Sequence, residues 1–219
     1  MKTFALLALS IAALAALSLP VRAQQESPGP AGTHAPLAPF AGRRIIVLPA
    51  EYLSEGDSLG WAALVPNVEE YLASFDAELE FALKDRGLGK VWVMESKLPS
   101  EYRRNQDYMA DPAHLAGDWL RYPGPKKAIP FLPDPLAGQL RSILAVNDRA
   151  EYVLYPIEIR FIKGPDGKGG RAALRAAVLD PRRLKVDWMA DVYSDTEEKF
   201  TPALLTSLAE HLANLFATP

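Results

Sequence analysis

Few residue types in this chain could do chemistry. There is no cysteine among its 219 residues, which excludes disulfides, thiolate nucleophiles, cysteine-ligated zinc, iron–sulfur clusters and a lipidated N-terminal cysteine. The three histidines, His34, His114 and His211, show no ligand spacing such as H-x-x-x-H, so no metal site is assigned. His114 alone has acids close by in a segment of unusual composition. With Asp111, Asp118 or Glu101 it could serve as the acid–base group of a small hydrolase. No G-x-S-x-G frame surrounds any serine. The run Gly164-Pro165-Asp166-Gly167-Lys168-Gly169-Gly170 places two residues, not four, before its Gly-Lys pair, and a strand-like segment follows. It is a hairpin turn and not a phosphate cradle. No G-x-G-x-x-G follows the first strand, which removes a dinucleotide site. No catalytic residue and no cofactor is assigned.

The other chemistry available is recognition. Residues 99–133 interleave Tyr102, Tyr108, Trp119 and Tyr122 with Arg103, Arg104, Arg121, Lys126 and Lys127. Tyr, Trp and Arg dominate binding hot spots, because they combine large rigid surface with a polar or cationic handle. A segment this long between two elements is either a recognition loop or a lid whose aromatics are buried. As a recognition loop, its contacts are Arg103, Arg104, Tyr108, Trp119 and Arg121.

The elements that must position this segment are legible from periodicity. Ile45-Ile46-Val47-Leu48 is an apolar, β-branched run stopped by Pro49, a buried strand. Val68, Leu72, Phe75, Leu79 and Leu83 recur at helical spacing, with Glu69 and Glu70 early, Lys84 and Arg86 late, and Gly87 at the end. Lys90–Met94 reads as a short second strand. A helix from Pro135 carries Leu136, Leu140, Ile143 and Leu144 on one face. Glu151–Ile162 reads as a strand with Val153, Tyr155, Ile157, Ile159 and Phe161 on one side, and strands at 171–179 and 184–193 follow. Pro202 opens a last helix with Leu205, Leu208, Leu212, Leu215 and Phe216 inward. The order β-α-β-α-β-β-β-α predicts an α+β fold, one mixed sheet with helices packed on it.

The last hairpin admits a closer reading. Facing Val178 with Leu184 sets Ala176 against Val186, Leu174 against Trp188 and Ala172 against Ala190 on the core face. That register pairs Arg175 with Asp187 and Arg171 with Asp191 on a wet face. Such pairs contribute roughly 0.2–1 kcal/mol each, and they read as solvated sheet charges.

Residues 1–23 open with Lys2, run apolar from Phe4 to Leu19, break at Pro20 and end Val21-Arg22-Ala23. That is the plan of a secretory signal cleaved after Ala23, so the chain is expected in the periplasm. No later segment is apolar for long enough to span a membrane. Residues 24–40, with Pro28, Pro30, Pro36 and Pro39, read as a tether, leaving 41–219 as a single domain. Without Lys2 and Arg22 the chain keeps 22 of its 24 Lys+Arg against 27 Asp+Glu. That balance offers no footprint for nucleic acid or anionic lipid. Its 49% hydrophobic and 23% charged content suits a globular domain and excludes a collagen-like, wholly disordered or multi-pass membrane chain.

The strand "IIVLPA", the helix "YLASFDAELEFALKDRG" and "KVWVM" together resemble the opening of a periplasmic family. It includes the curli secretion channel subunit CsgG, the outer-membrane activators of penicillin-binding proteins and the N-terminal domain of TolB. "LAVNDRAEYVLYPIEIRF", the hairpin "AALRAAVLDPRRLKVDWMADVYS" and the closing helix "LLTSLAEHLANLF" are similar to its second half. The resemblance covers about 120 residues in pieces. It implies a sheet of three to five strands with two helices on one face, and a non-enzymatic role in envelope assembly or regulation. Members generally bind other proteins. The chain departs from the family in lacking the lipidated cysteine and in carrying the segment 99–133. The leading expectation is a non-catalytic envelope protein whose partner is another envelope component, expected to be a protein. The alternatives are the small hydrolase above and a structural subunit that self-associates through a sheet edge.

Overall fold

The computed structural model describes residues 35–121, 131–147 and 150–217. The signal-like segment, His34, Tyr122, Lys126 and Lys127 lie outside the described residues. Leu37, within the proline-rich stretch, is already core: it is buried, and its N–H donates to the carbonyl of Leu215 at 2.9 Å. A short helix α1 (Ala38–Ala41) follows, and Phe40 packs edge-on against Tyr152 with ring centroids 5.1 Å apart.

The α+β class holds. A mixed sheet is built on one long strand, β3 (Tyr152–Lys163), which uses both edges. One edge takes two short parallel strands in tandem, β1 (Ile45–Val47) and then β2 (Tyr52–Leu53). The other takes β4 (Gly170–Asp180) antiparallel, and β5 (Lys185–Tyr193) pairs with the far side of β4. The second strand expected at Lys90–Met94 is reduced to a bridge. Val93 N–H donates to Ile45 at 2.8 Å and Val47 N–H donates to Val93 at 2.9 Å, while Leu88–Lys90 forms a 3-10 turn. Its β-forming residues are spent differently, Trp92 and Met94 going into the core.

Both sheet faces are covered, so the molecule has three layers. On the first, α2 (Val68–Asp85) and α5 (Ala203–Asn214) pack Phe75, Leu79, Leu83, Leu204, Leu208 and Leu212 against Leu154, Ile159, Phe161, Leu174 and Val178. Helix α2 is capped as its sequence suggests. The Asn67 side chain accepts from Glu70 N–H, and Gly87 stops the helix at φ 78°, a left-handed conformation that glycine adopts without strain. On the second face lie α4 (Leu136–Val146) and the 99–133 segment, over Ile46, Leu48, Val153, Tyr155, Ile157, Ala177 and Leu179.

Two sequence expectations are corrected here. Val153, Tyr155 and Ile157 face the second layer, but Ile159 and Phe161 face the first. A β-bulge between Pro156 and Glu158 inserts one residue and inverts the alternation. The hairpin register is also displaced: Arg175 pairs with Asp191, Ala176 with Ala190 and Val178 with Trp188. The turn closes at Asp180–Lys185, with Asp180 Oδ1 accepting from the N–H groups of Arg182 and Arg183 and Leu184 at φ 57°. Asp187 falls at a second irregularity and pairs with Lys185. Among the described residues, no helix is long and apolar enough to cross a membrane.

Candidate functional site

The described part of the 99–133 segment, residues 99–121 and 131–133, is a lid with two differently employed faces. It opens with α3 (Leu98–Asn105) and later makes a 3-10 turn at Asp118–Leu120. Leu98, Met109, Leu115, Leu120 and Leu132 are buried in the second core, each worth about 1.5–3 kcal/mol relative to exposure. Helix α4 grips the lid backbone with two side chains one turn apart. Gln139 Oε1 accepts from Ala116 N–H and Ser142 Oγ from Ala110 N–H, both at 2.8 Å. Gly117 passes so close over Tyr155 that a Cβ there would lie 2.9 Å from two carbons of its ring, which only glycine avoids.

The five residues assigned to recognition divide between these faces. Arg121 turns inward: its Nε and Nη2 donate to Glu158 Oε1 at 3.1 and 2.9 Å, and its guanidinium lies 4.3 Å from the centroid of the Tyr52 ring. Arg175 Nη1 donates to the Arg121 carbonyl at 2.9 Å and its Nε pairs with Asp191 at 3.0 Å, and Arg160 reaches Asp191 at 2.7 Å. The face expected to be wet is thus a covered ion-pair network. Trp119 is half-buried against the second core. Arg103 and Arg104 are exposed at the end of α3, and Tyr108, 81% exposed, follows them. Those three form an outward patch.

The acid–base candidates also divide. His114 Nδ1 lies 3.1 Å from Asp111 Oδ2, whereas Glu101 pairs with Arg104 at 3.6 Å and Asp118 lies 3.9 Å from Arg121. His114 stands on the rim of a cavity of about 600 Å³ that sequence reasoning missed. The cavity lies between the lid, α2 and the loop Pro49–Glu51, where the chain leaves the sheet after β1 and returns as β2. Four carboxylates line it: Glu51, Glu69, Asp76 and Glu95.

Three of these acids, Asp76, Glu51 and Glu95, are perturbed by burial. Asp76 is 6% exposed and accepts from Ala50 N–H at 2.9 Å, yet burial, with Glu95 adding to it, pushes its carboxyl up to about 8. Burial raises Glu51 to about 7 against the lowering effect of the Tyr52 hydroxyl, which donates to Glu51 Oε1 at 2.7 Å. Glu51 Oε2 is buried without a hydrogen-bond partner. Glu95 is raised by burial and by Glu80. One signal pointed here: Asp76 occupies the apolar stripe of α2, between Leu72 and Leu79, where a solvated acid has no place.

No family model matches the chain, and no curated protein matches it. Among solved structures, it is similar to the PelC dodecamer from Paraburkholderia phytofirmans, at 16% identity over 80% of this chain and 87% of that one, with a TM-score of 0.37. A variant of the same dodecamer gives 16% identity over 81% and 90%, with a TM-score of 0.38. The hypothetical protein CT253 from Chlamydia trachomatis gives 19% identity over 69% and 71%, with a TM-score of 0.35. The likeness is distant in every case.

Proposed function

We propose that this chain is an exported, non-catalytic protein of the cell envelope, of the TolB N-terminal and CsgG kind. In this reading it binds another envelope protein through the outer face of its lid. The observation that carries the reading is Tyr108, an 81% exposed aromatic beside Arg103 and Arg104 on a lid whose other face is locked into the core. A rigid aromatic with flanking guanidiniums is hot-spot chemistry on a pre-organised support. Export rests on the order of Lys2, the apolar run and Ala23 in the sequence.

The test is a photo-crosslinking side chain placed at Tyr108 in the native host, with one at Phe81 as control. Phe81 is also an exposed aromatic (70%) but lies on α2, in the opposite layer. A discrete crosslinked partner from position 108 and none from 81, with capture reduced at least tenfold by Arg103→Ala and Arg104→Ala, is the expected result. A product of twice the chain mass would indicate self-association. Crosslinks from 81 alone, or from neither position, would overturn the reading.

A hydrolytic role is the second reading, supported by the His114–Asp111 pair at the rim of a cavity that also holds Glu51. Turnover in ester, glycoside or phosphate panels that is lost in both His114→Ala and Glu51→Gln would establish it.

A further inference from the structure

Among the described residues, the buried carboxylates outside this cavity each keep a cation close by: Glu158 has Arg121 and Asp180 has Arg183. The cavity beside α2 breaks that habit. Glu51, Glu69, Asp76 and Glu95 line it with no Lys or Arg, and His114 on the rim is the basic side chain of the lining. Asp76 is 94% buried, spends Oδ1 on Ala50 N–H, and its Oδ2 has no hydrogen-bond partner among the described residues. Glu51 Oε2, in the same lining, is buried and unpartnered. An unpaired buried oxygen is costly to a fold, and carboxylate oxygens left open on a cavity are complemented by a ligand that brings N–H donors and positive charge.

The shape narrows the ligand further. At about 600 Å³ the cavity is far larger than a bare ion needs, and among the described residues no group of three His, Asp or Glu could hold a metal. A second cavity of about 210 Å³ adjoins it, sharing Pro49, Glu95 and Ala113 as a common wall. Leu98, Pro99, Tyr102 and Pro112 give that second space the makeup of a site for an apolar arm, with Arg103 and Asp111 as its charged wall residues.

We propose that the paired cavities bind an organic ammonium ion carrying an apolar arm, the ammonium seated between Asp76, Glu51 and Glu95 and the arm between Leu98, Pro99, Tyr102 and Pro112. The site shares Arg103 with the Tyr108 patch but needs neither Tyr108 nor Arg104, so either reading can fail alone. The ammonium is recognised by ionised carboxylates, and burial holds Asp76 and Glu51 protonated to about 8 and about 7. Binding therefore expels protons and tightens as the pH rises. The other charged groups facing the site are Glu69 and Glu80 from α2, Arg103 from α3, His114 with Asp111 from the lid, and Asp118 near Glu51.

Titration calorimetry with 2-phenylethylamine on the full mature chain, at pH 5.5 and 8.5, tests this. The expected result is a Kd at least tenfold lower at pH 8.5, with proton release seen as heats that vary with buffer ionisation enthalpy. 2-Phenylethanol and 3-phenylpropionate, which keep the arm without the cation, should bind at least tenfold more weakly. Asp76→Asn and Glu95→Gln should each weaken the amine at least tenfold, and Ala113→Trp, an exposed wall position, should block it while preserving the fold. No amine binding by the folded chain at either pH overturns the proposal. So do equal affinity for the alcohol and affinity untouched by all three variants.

Discussion

At the scale of single residues, Arg121 shows how one side chain changes an entire segment's role. It joins the lid to three strands at once: Tyr52 of β2 under its guanidinium, Glu158 of β3 on its nitrogens, and Arg175 of β4 on its carbonyl. Glu158 is 6% exposed, so removing its closer partner leaves a buried charge with only Arg160, 4.0 Å away. Arg121→Ala is expected to destabilise the protein by about 3 kcal/mol, a fall in Tm of roughly 6–12 °C for a chain of this size. Replacing both partners together, Arg121→Met with Glu158→Leu, should recover most of that loss. A thermal melt of the two variants decides the matter: equal losses would mean that the arginine acts by packing alone. From the sequence Arg121 was indistinguishable from Arg103 and Arg104. All three are arginines among aromatics, and only the buried acid 37 positions downstream separates them.

At the scale of elements, what could be read locally was read. The stripe of α2, its acidic start and its Gly87 stop all act within a few residues, as does the apolar run of β1. What failed was set by distant partners. Lys90–Met94 has the composition of a strand, but the chain around it turns too tightly to offer more than one bridge to β1. The hairpin register depended on Leu184 taking a left-handed φ of 57°, a conformation that leucine seldom adopts and that no sequence rule would choose. The cavity acids lie in three separate segments, Glu51, Asp76 and Glu95, and each looks solvated until the fold brings them together. The bulge in β3 permits a sharp test. Deleting Ile157 joins Pro156 to Glu158 in the register they already hold against Ala176 and Arg175, so Glu158 stays on the lid face and Ile159 and Phe161 on the helix face. We expect a cooperative melt and native near-ultraviolet circular dichroism to survive the deletion. Ile157→Ala, which removes the side chain but keeps the count, should cost the roughly 2–5 kcal/mol of a core truncation. Loss of the cooperative melt on deletion alone would show instead that the downstream frame depends on the extra residue.

At the scale of the whole molecule, the cavity acids make stability depend on pH in an unusual direction. Asp76, Glu51 and Glu95 each hold a proton more tightly folded than unfolded. The native state therefore binds more protons between the ordinary carboxylate range and about 8, and stability falls as the pH rises through that window. The Tm is expected to drop between pH 5.5 and 8.5 by more than the roughly 2–4 °C that 1 kcal/mol represents in a chain of this length. Asp76→Asn keeps an oxygen for Ala50 N–H without a titrating proton, so it should flatten much of that slope. A Tm that rises with pH, or a slope unchanged in Asp76→Asn, would show the carboxyl to be ionised throughout. An ammonium ligand at saturating concentration should restore the alkaline side, which gives the site a readout free of any assay for turnover.

The bulge at Ile157 also carries an evolutionary consequence. It switches the parity of the side chains: odd-numbered residues of β3 face the lid before it and the helix pair after it. Ile157 and Glu158 therefore both face the lid, side by side. A relative of this chain without the extra residue would keep the acid opposite Arg175 and in reach of a lid arginine, and would lose one apolar anchor beneath the lid. The bulge should accordingly come and go with the packing of the lid, while the acid–arginine pair is inherited without it.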